Sequence, residues 1–296
     1  MRITGNLVAL WAVAPLTVAA MGCKNEQGLR ERAFKNIAVV TGDFDEVEAT
    51  LTRLDIAHTP YEGFISRAVY DPEINPSGNA LKSEALFTAE TSGVPEIETY
   101  DAVFLNSGTR GLGAYVYNGT DPDDALVTDQ TALENVRNYV ENGGTLVASD
   151  WSYDLLEALW PDEVDFARDD LVLDDAQRGT SADVVADVLD TALVEALDGN
   201  QTLELSYDYT YWTVIDGMAA DVTVYLSGDI TYRASGAEGE VSKEDAPLLI
   251  GFNAGGGQVL FSTFHWRAQR NAVSEGILLA LIEGLKTGPN AAEGSI

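Results

Sequence analysis

Apolar runs and amphipathic stretches alternate through the first half of the chain. NIAVVTG (36–42), YDAVFLNSG (100–108) and TLVASD (145–150) are continuous runs of the kind that fill strands buried on both faces. Residues 58–64 read as a further strand. Between these runs the spacing turns helical. Val47, Leu51 and Leu54 share one face of 46–56, with Asp43 or Asp45 placed to cap it. Leu126, Leu133, Val136 and Val140 form the stripe of a helix over 124–142, and Gly143 suits the left-handed position after its end. A short helix follows over 153–160 and stops at Pro161. Ser181 is expected to cap another helix over 182–199.

After 200 the period becomes two. LELSYD, YWTVI, DVTVYLSG, DITYRA, PLLIGFN and GQVLFSTFH read as strands, the last two joined through AGGG as a hairpin. A helix over roughly 274–285 closes the pattern. Residues 65–98, with Pro72, Pro76, Pro95, Gly78 and Gly93, form a loop-rich excursion, and 111–124 a second polar loop. This order predicts an α/β fold: a mostly parallel central sheet flanked by helices, with antiparallel strands added in the C-terminal half.

The N-terminus stands apart from that pattern. Met1-Arg2 is followed by an apolar stretch over 7–20 that Pro15 interrupts, too short for a bilayer core that needs about 20 apolar residues. It ends in AMGC, and Cys23 is the chain's one cysteine. AMGC resembles the lipobox of bacterial prolipoproteins, with Ala20 where leucine is commonest. The resemblance implies an export signal over 1–22, lipidation of Cys23, a tether over 23–35 and a single α/β domain over 36–290. An unpaired thiol in an exported protein is accounted for if acylation consumes it. Lys24, rather than an aspartate, after the anchor implies outer-membrane sorting. The expected location is therefore the cell envelope, lipid-anchored, facing the periplasm or the outside.

Charge narrows the partners. The chain has 17 basic and 48 acidic residues, a formal net charge of −31. Such a surface repels nucleic acid and anionic headgroups, so no nucleic-acid partner is expected and the membrane is reached through the N-terminal lipid. Acids spread along the chain fit adaptation to salty water, where counter-ions screen self-repulsion.

Strand ends are where an α/β sheet places chemistry. TGDFD (41–45), NSGTRG (106–111), SDWSYD (149–154) and STFHWRAQ (262–269) end there in polar or small residues. LVASDWSYDLL resembles the nucleophile elbow of the class I glutamine amidotransferase-like superfamily. Asn106-Ser107-Gly108 lies where that family's oxyanion loop would be, and Phe264-His265 resembles the pair carrying its catalytic histidine. The ending GGGQVLFSTFH plus a helix is similar to the trehalose-utilisation-protein-like branch, which lacks the amidase triad.

The resemblance puts Asp150 at the nucleophile position, or Trp151 if the elbow slips by one. The domain has no cysteine beyond the anchor, and Trp266 follows the histidine where the family has glutamate, so thiolate amidotransfer is excluded. Asp150, His265 and Ser107 remain candidate catalytic residues, with Asp150 alternatively a helix cap and His265 a hydrogen-bonded strand end. Trp151, Trp266 and Asn106 are candidate ligand-binding residues, and Tyr207, Tyr209, Tyr211 and Trp212 are aromatics that could edge the same pocket. Two histidines are too few for a catalytic zinc. Calcium is the one candidate cofactor, through Asp121, Asp123 and Asp124 or the loop 71–79, neither with EF-hand spacing. The reading that follows is a non-enzymatic envelope lipoprotein. It would act as a binding or interaction module for an envelope protein or small ligand, on a degenerate amidotransferase-like fold. The alternative is a hydrolase or metal-assisted enzyme using Asp150 and His265, whose side chains should approach within roughly 10 Å at one sheet edge.

Overall fold

Six strands run parallel as neighbours in one sheet. β1 (Ile37–Val40) lies between β2 (Thr59–Glu62) and β6 (Ala102–Leu105), and β7 (Thr145–Ser149) lies beyond β6. A two-residue β3 (Leu81–Lys82) extends one edge, and β14 (Gly257–Ser262) pairs parallel with β7 on the other side. The computed structural model describes residues 34–63, 81–109, 129–168, 176, 178–233 and 239–284.

The central strands β1, β6, β7 and β14 are largely apolar, and both their faces are covered. Ile37, Val39, Phe104, Val147 and Leu260 enter one core, and Ala38, Val40, Val103, Leu105, Leu146 and Phe261 enter the other. The first core is closed by α1 (Val47–Arg53), α5 (Thr191–Ala196) and α6 (Asn271–Glu283). The second is closed by α2 (Ser83–Thr88), α3 (Gln130–Glu141) and α4 (Tyr153–Leu159). Small sheets of β4 (Glu90–Thr91) with β5 (Val94–Pro95), and β8 (Val164–Phe166) with β11 (Ile215–Met218), lie outside the main one.

β9 (Ala182–Val188), β10 (Thr202–Tyr207), β12 (Thr223–Tyr232) and β13 (Val241–Ala254) complete a ten-stranded sheet in the order β10-β9-β12-β13-β14-β7-β6-β1-β2-β3. All the pairings from β10 through β13 to β14 are antiparallel, so the mixed sheet is as expected. Ala254 pairs with Gly257, which makes the AGGG segment a hairpin.

Four local readings are corrected. The helix over 182–199 is a strand followed by a short helix. Val184, Ala186 and Val188 are buried while Val185 is 68% exposed, a period of two. Ser181 donates to the Tyr207 carbonyl instead of capping, and Asp190 caps α5 by accepting from the Leu193 N–H at 2.8 Å. DVTVYLSG and DITYRA form one strand, β12, whose register against β13 shifts near Leu226 and Gly228. The excursion over 65–98 contains α2, with Leu86 and Phe87 fully buried. The helix expected over 124–142 starts at Gln130 under an Asp129 cap, and Leu126 lies outside the described residues.

Candidate functional site

β7 and β14 are parallel neighbours with Ser149 opposite Ser262, so the residues that follow each strand emerge at the same sheet edge. There Asp150 turns the chain at φ +40, into a short 3-10 turn (150–152) that leads to α4. A non-glycine residue in that region costs about 1 kcal/mol or more and marks the sharp strand-to-helix turn expected of an elbow. Trp151 has no such backbone, so Asp150 holds the turn. The alternative of Asp150 as a helix cap is not realised: α4 begins after Ser152 with no side-chain cap.

His265 and Asp150 are in direct contact, Nε2 to Oδ2 at 2.7 Å. Both are buried, at 5% and 0% exposure. The other ring nitrogen, Nδ1, faces Asp208 Oδ1 at 3.3 Å. Two carboxylates on one imidazole are satisfied together only when both nitrogens carry protons. Burial opposes that charge, but the hydrogen bond and charge of Asp150, then Asp208 and Asp45, overcome it and push the His265 pKa up to about 10. Asp208, half solvated, is held below the usual carboxylate range: burial would raise it, and the hydrogen bond and charge of His265 with the charge of Arg267 outweigh that.

Asp150 spends its remaining lone pairs on the protein. Oδ1 accepts the Thr213 N–H at 2.6 Å, and Oδ2 also accepts the Ser107 hydroxyl at 3.4 Å. Ser107 Oγ in turn accepts the Trp151 N–H at 3.3 Å. The backbone donor next to the elbow residue, the natural donor to a developing oxyanion, is therefore turned onto a serine of the same chain. Ser107 meets the carboxylate rather than the imidazole. Asn106 is fully buried and donates from Nδ2 to Glu48 Oε2 at 2.6 Å, so it braces α1 against the β6 end. Close approach of these loops requires Gly42, where a Cβ would lie 2.1 Å from the Ser107 carbonyl oxygen.

Aromatic rings roof the pair. Phe44 lies 4.8 Å from Trp151 and 5.5 Å from Tyr209, and Tyr209 lies 5.3 Å from His265, centroid to centroid and edge to face. Arg267 stacks on Tyr209, hydrogen-bonds its hydroxyl, and reaches Glu46 at 3.6 Å and Asp208 at 3.8 Å. Tyr211, at φ +73 and 53% exposed, has Arg233 over its ring, and its carbonyl accepts the Trp151 indole N–H at 2.6 Å. Gly179 lets the Trp212 indole lie against the backbone, where a Cβ would be 2.0 Å from the ring. Tyr207 and Trp212 are buried, their rings 4.2 Å apart. Trp266 is also buried, at 1% exposure, beside Phe264 in the core and not at the mouth of the site.

Asp45, Ser149, Asp208 and Thr213 belong to the site and were not singled out as site residues from sequence. The available signal was position: Asp45 and Ser149 sit in the polar strand-end segments, and Asp208 stands inside YDYTYW. His58 lies at the opposite edge, just before β2, where it lines a cleft of about 400 Å³ with Lys35, Thr59 and Tyr100. Among the described residues no group of three metal-ligating side chains converges. Asp121, Asp123, Asp124 and the loop 71–79 lie outside the described residues.

No family model matches the sequence, and no curated protein matches it. Solved structures similar to it include PurLQS from Thermotoga maritima, at 10% identity and a TM-score of 0.46 over 84% of this chain and 98% of that one. A ThuA-like protein from Bacteroides uniformis is 12% identical, with a TM-score of 0.43 over 93% and 94% of the two chains. A glutamine amidotransferase from Thermotoga maritima is 8% identical, with a TM-score of 0.43 over 82% and 80%. These structural neighbours are class I glutamine amidotransferase-like proteins, similar to this chain at identities between 8% and 12%.

Proposed function

We propose that the chain is a non-enzymatic envelope lipoprotein: an amidotransferase-like domain with a disabled site, serving as a binding or interaction module. The observation that carries this is the closed state of the elbow. Asp150 is 0% exposed with both oxygens hydrogen-bonded, and His265 has a carboxylate on each nitrogen. A nucleophile must reach a substrate atom and a base must have a free lone pair, and neither group offers that. The exposed Tyr209 and Tyr211 above the pair are the face offered to a partner, an envelope protein or a small ligand. AMGC and Cys23 support the lipid anchor, and the spread acids support work in salty water. Among the described residues no helix is long and apolar enough to cross a membrane.

Two measurements test this reading. The protein is incubated with glutamine and with a panel of ester and amide substrates; turnover above buffer that disappears in both Asp150→Asn and His265→Gln would establish the enzyme instead. A photo-crosslinking residue placed at Tyr211 should give a discrete adduct in intact cells that the same residue at Val94, also exposed, does not. No adduct at Tyr211 sinks the binding face.

The second reading, a hydrolase or metal-assisted enzyme, takes its support from the direct Asp150–His265 contact, since a carboxylate can orient an imidazole. The second carboxylate, Asp208, is what favours the first reading over it.

A further inference from the structure

Asp45 is a buried carboxylate to which the binding reading assigns no task. It is 0% exposed, beyond the end of β1, and it holds three segments of the site together. Oδ1 accepts the N–H of Glu46 at 2.8 Å and of Arg267 at 3.1 Å, and Oδ2 accepts the Ser149 hydroxyl at 2.9 Å. Phe44 of the aromatic roof precedes Asp45, His265 lies two residues before Arg267, and Ser149 precedes Asp150. One side chain thus ties roof, histidine and elbow.

The charged groups around it are few. His265 acts on it as a cation from the β14 side. The Arg267 guanidinium is turned to Glu46 and Asp208, so only its backbone faces Asp45. From α1, Glu48 is held by Asn106, whose Nδ2 also lies 3.4 Å from the Asp45 carbonyl oxygen. From β7, Ser149 lies between Asp45 and the Ser107–Asp150 branch, because Ser149 Oγ also accepts the Ser107 N–H at 2.9 Å.

We propose that one proton on Asp45 Oδ2 tightens the junction of these three segments and its loss loosens it, so that acidity regulates the face offered to a partner. The regulatory part rests on the binding role argued above. The step transfers one proton from water to Oδ2, the oxygen that faces the Ser149 hydroxyl. No other bond changes. The Asp45–Ser149 hydrogen bond reverses direction, Oδ2 becoming the donor and the Ser149 hydroxyl turning its own hydrogen away. Charged Asp45 adds a second buried carboxylate beside Asp150 around one imidazolium, an excess negative charge in a water-poor place. Burial pushes its pKa up to about 6, against the pull of His265 and of its own hydrogen bonds. The tie is therefore tight below that pH and strained above it.

Amide hydrogen exchange of the full chain, corrected for intrinsic rates, reads the tie at the N–H groups of Glu46 and Arg267. Protection should fall by about 10-fold from pH 5 to pH 7.5, the part of the pKa window that lies above pH 5. Asp45→Asn keeps an acceptor for both amides and puts a donor toward Ser149, so its protection should stay at the acid-state value. Equal pH dependence in wild type and Asp45→Asn overturns the proposal. If that variant does not fold, the carboxyl carbon shift of Asp45 in wild type decides: a midpoint near 6 supports the tie, and one near 4 overturns it. The yield of the Tyr211 adduct should rise over the same range. A flat yield with a working tie overturns the regulation, whereas no adduct at any pH removes the binding face and leaves the tie standing on the exchange data.

Discussion

His265 Nε2 and Asp150 Oδ2 meet at 2.7 Å across 115 positions of sequence, wholly inside the protein. The pair joins the ends of β7 and β14, and its charge state governs the stability of that junction. His265 has its folded pKa at about 10, above the unfolded value of 6.5. The native state therefore binds more protons than the unfolded state between those values. The contribution is complete below about pH 6.5 and is lost as pH rises through 10, on the order of 5 kcal/mol across the window. Thermal melts from pH 6.5 to 10.5 should show this decline, and Asp150→Asn should flatten it. An undiminished slope in that variant would remove the pair as its cause.

Breaking the pair from either side leaves an uncompensated buried group. His265→Ala should cost about 3–5 kcal/mol at pH 7, because it leaves Asp150 buried without its main partner. Asp150→Asn should cost less, because an amide still accepts the Thr213 N–H. Urea unfolding of the three proteins measures both. The order reversed, with the asparagine the worse, would mean that the carboxylate and not the charge balance carries the stability.

Part of this site can be read in the sequence and part cannot. Parallel strands follow from continuous apolar runs separated by helices, and their direction places Asp150, His265 and Asn106-Ser107-Gly108 at one edge. Contact between Asp150 and His265 depends on β14 lying directly beside β7, and nothing in strand composition encodes that adjacency. Asp208 follows β10, an antiparallel strand four places from β14 in the sheet order, so its approach to His265 is a tertiary event without local signal. Trp266 looks like a pocket residue from its place after the histidine, yet the turn over 266–268 sends its ring into the core. The strand at 182–188 imitates a helix because alanine and spaced valines satisfy both periods, and pairing with β10 and β12 decides it.

Lipidation is expected from AMGC and the single cysteine. Metabolic labelling with an alkyne fatty acid should tag the wild-type protein, and Cys23→Ser should lose the tag and stay unprocessed. Equal labelling of both would refute the anchor.

Salt should stabilise the protein. With a formal charge of −31, self-repulsion weakens as the Debye length shrinks from about 30 Å at 0.01 M to about 3 Å at 1 M. The melting temperature should rise with NaCl over that range. A flat or falling curve would count against charge screening, and the same rise with millimolar calcium alone would point to a bound cation.

The place of β14 in the sheet also sets an order of events. β7 needs a neighbour on each side, and the second one is not synthesised until more than a hundred residues later. Until then Leu146, Val147 and Ala148 end in an open row of backbone donors and acceptors, which is where chains stick to one another. Such distant pairing is slow, since the loop must close before any contact rewards it. A chain ending before Gly257 should therefore sediment as aggregate where the full chain stays dispersed. The hairpin that delivers His265 is, in this sense, the clasp that finishes the molecule.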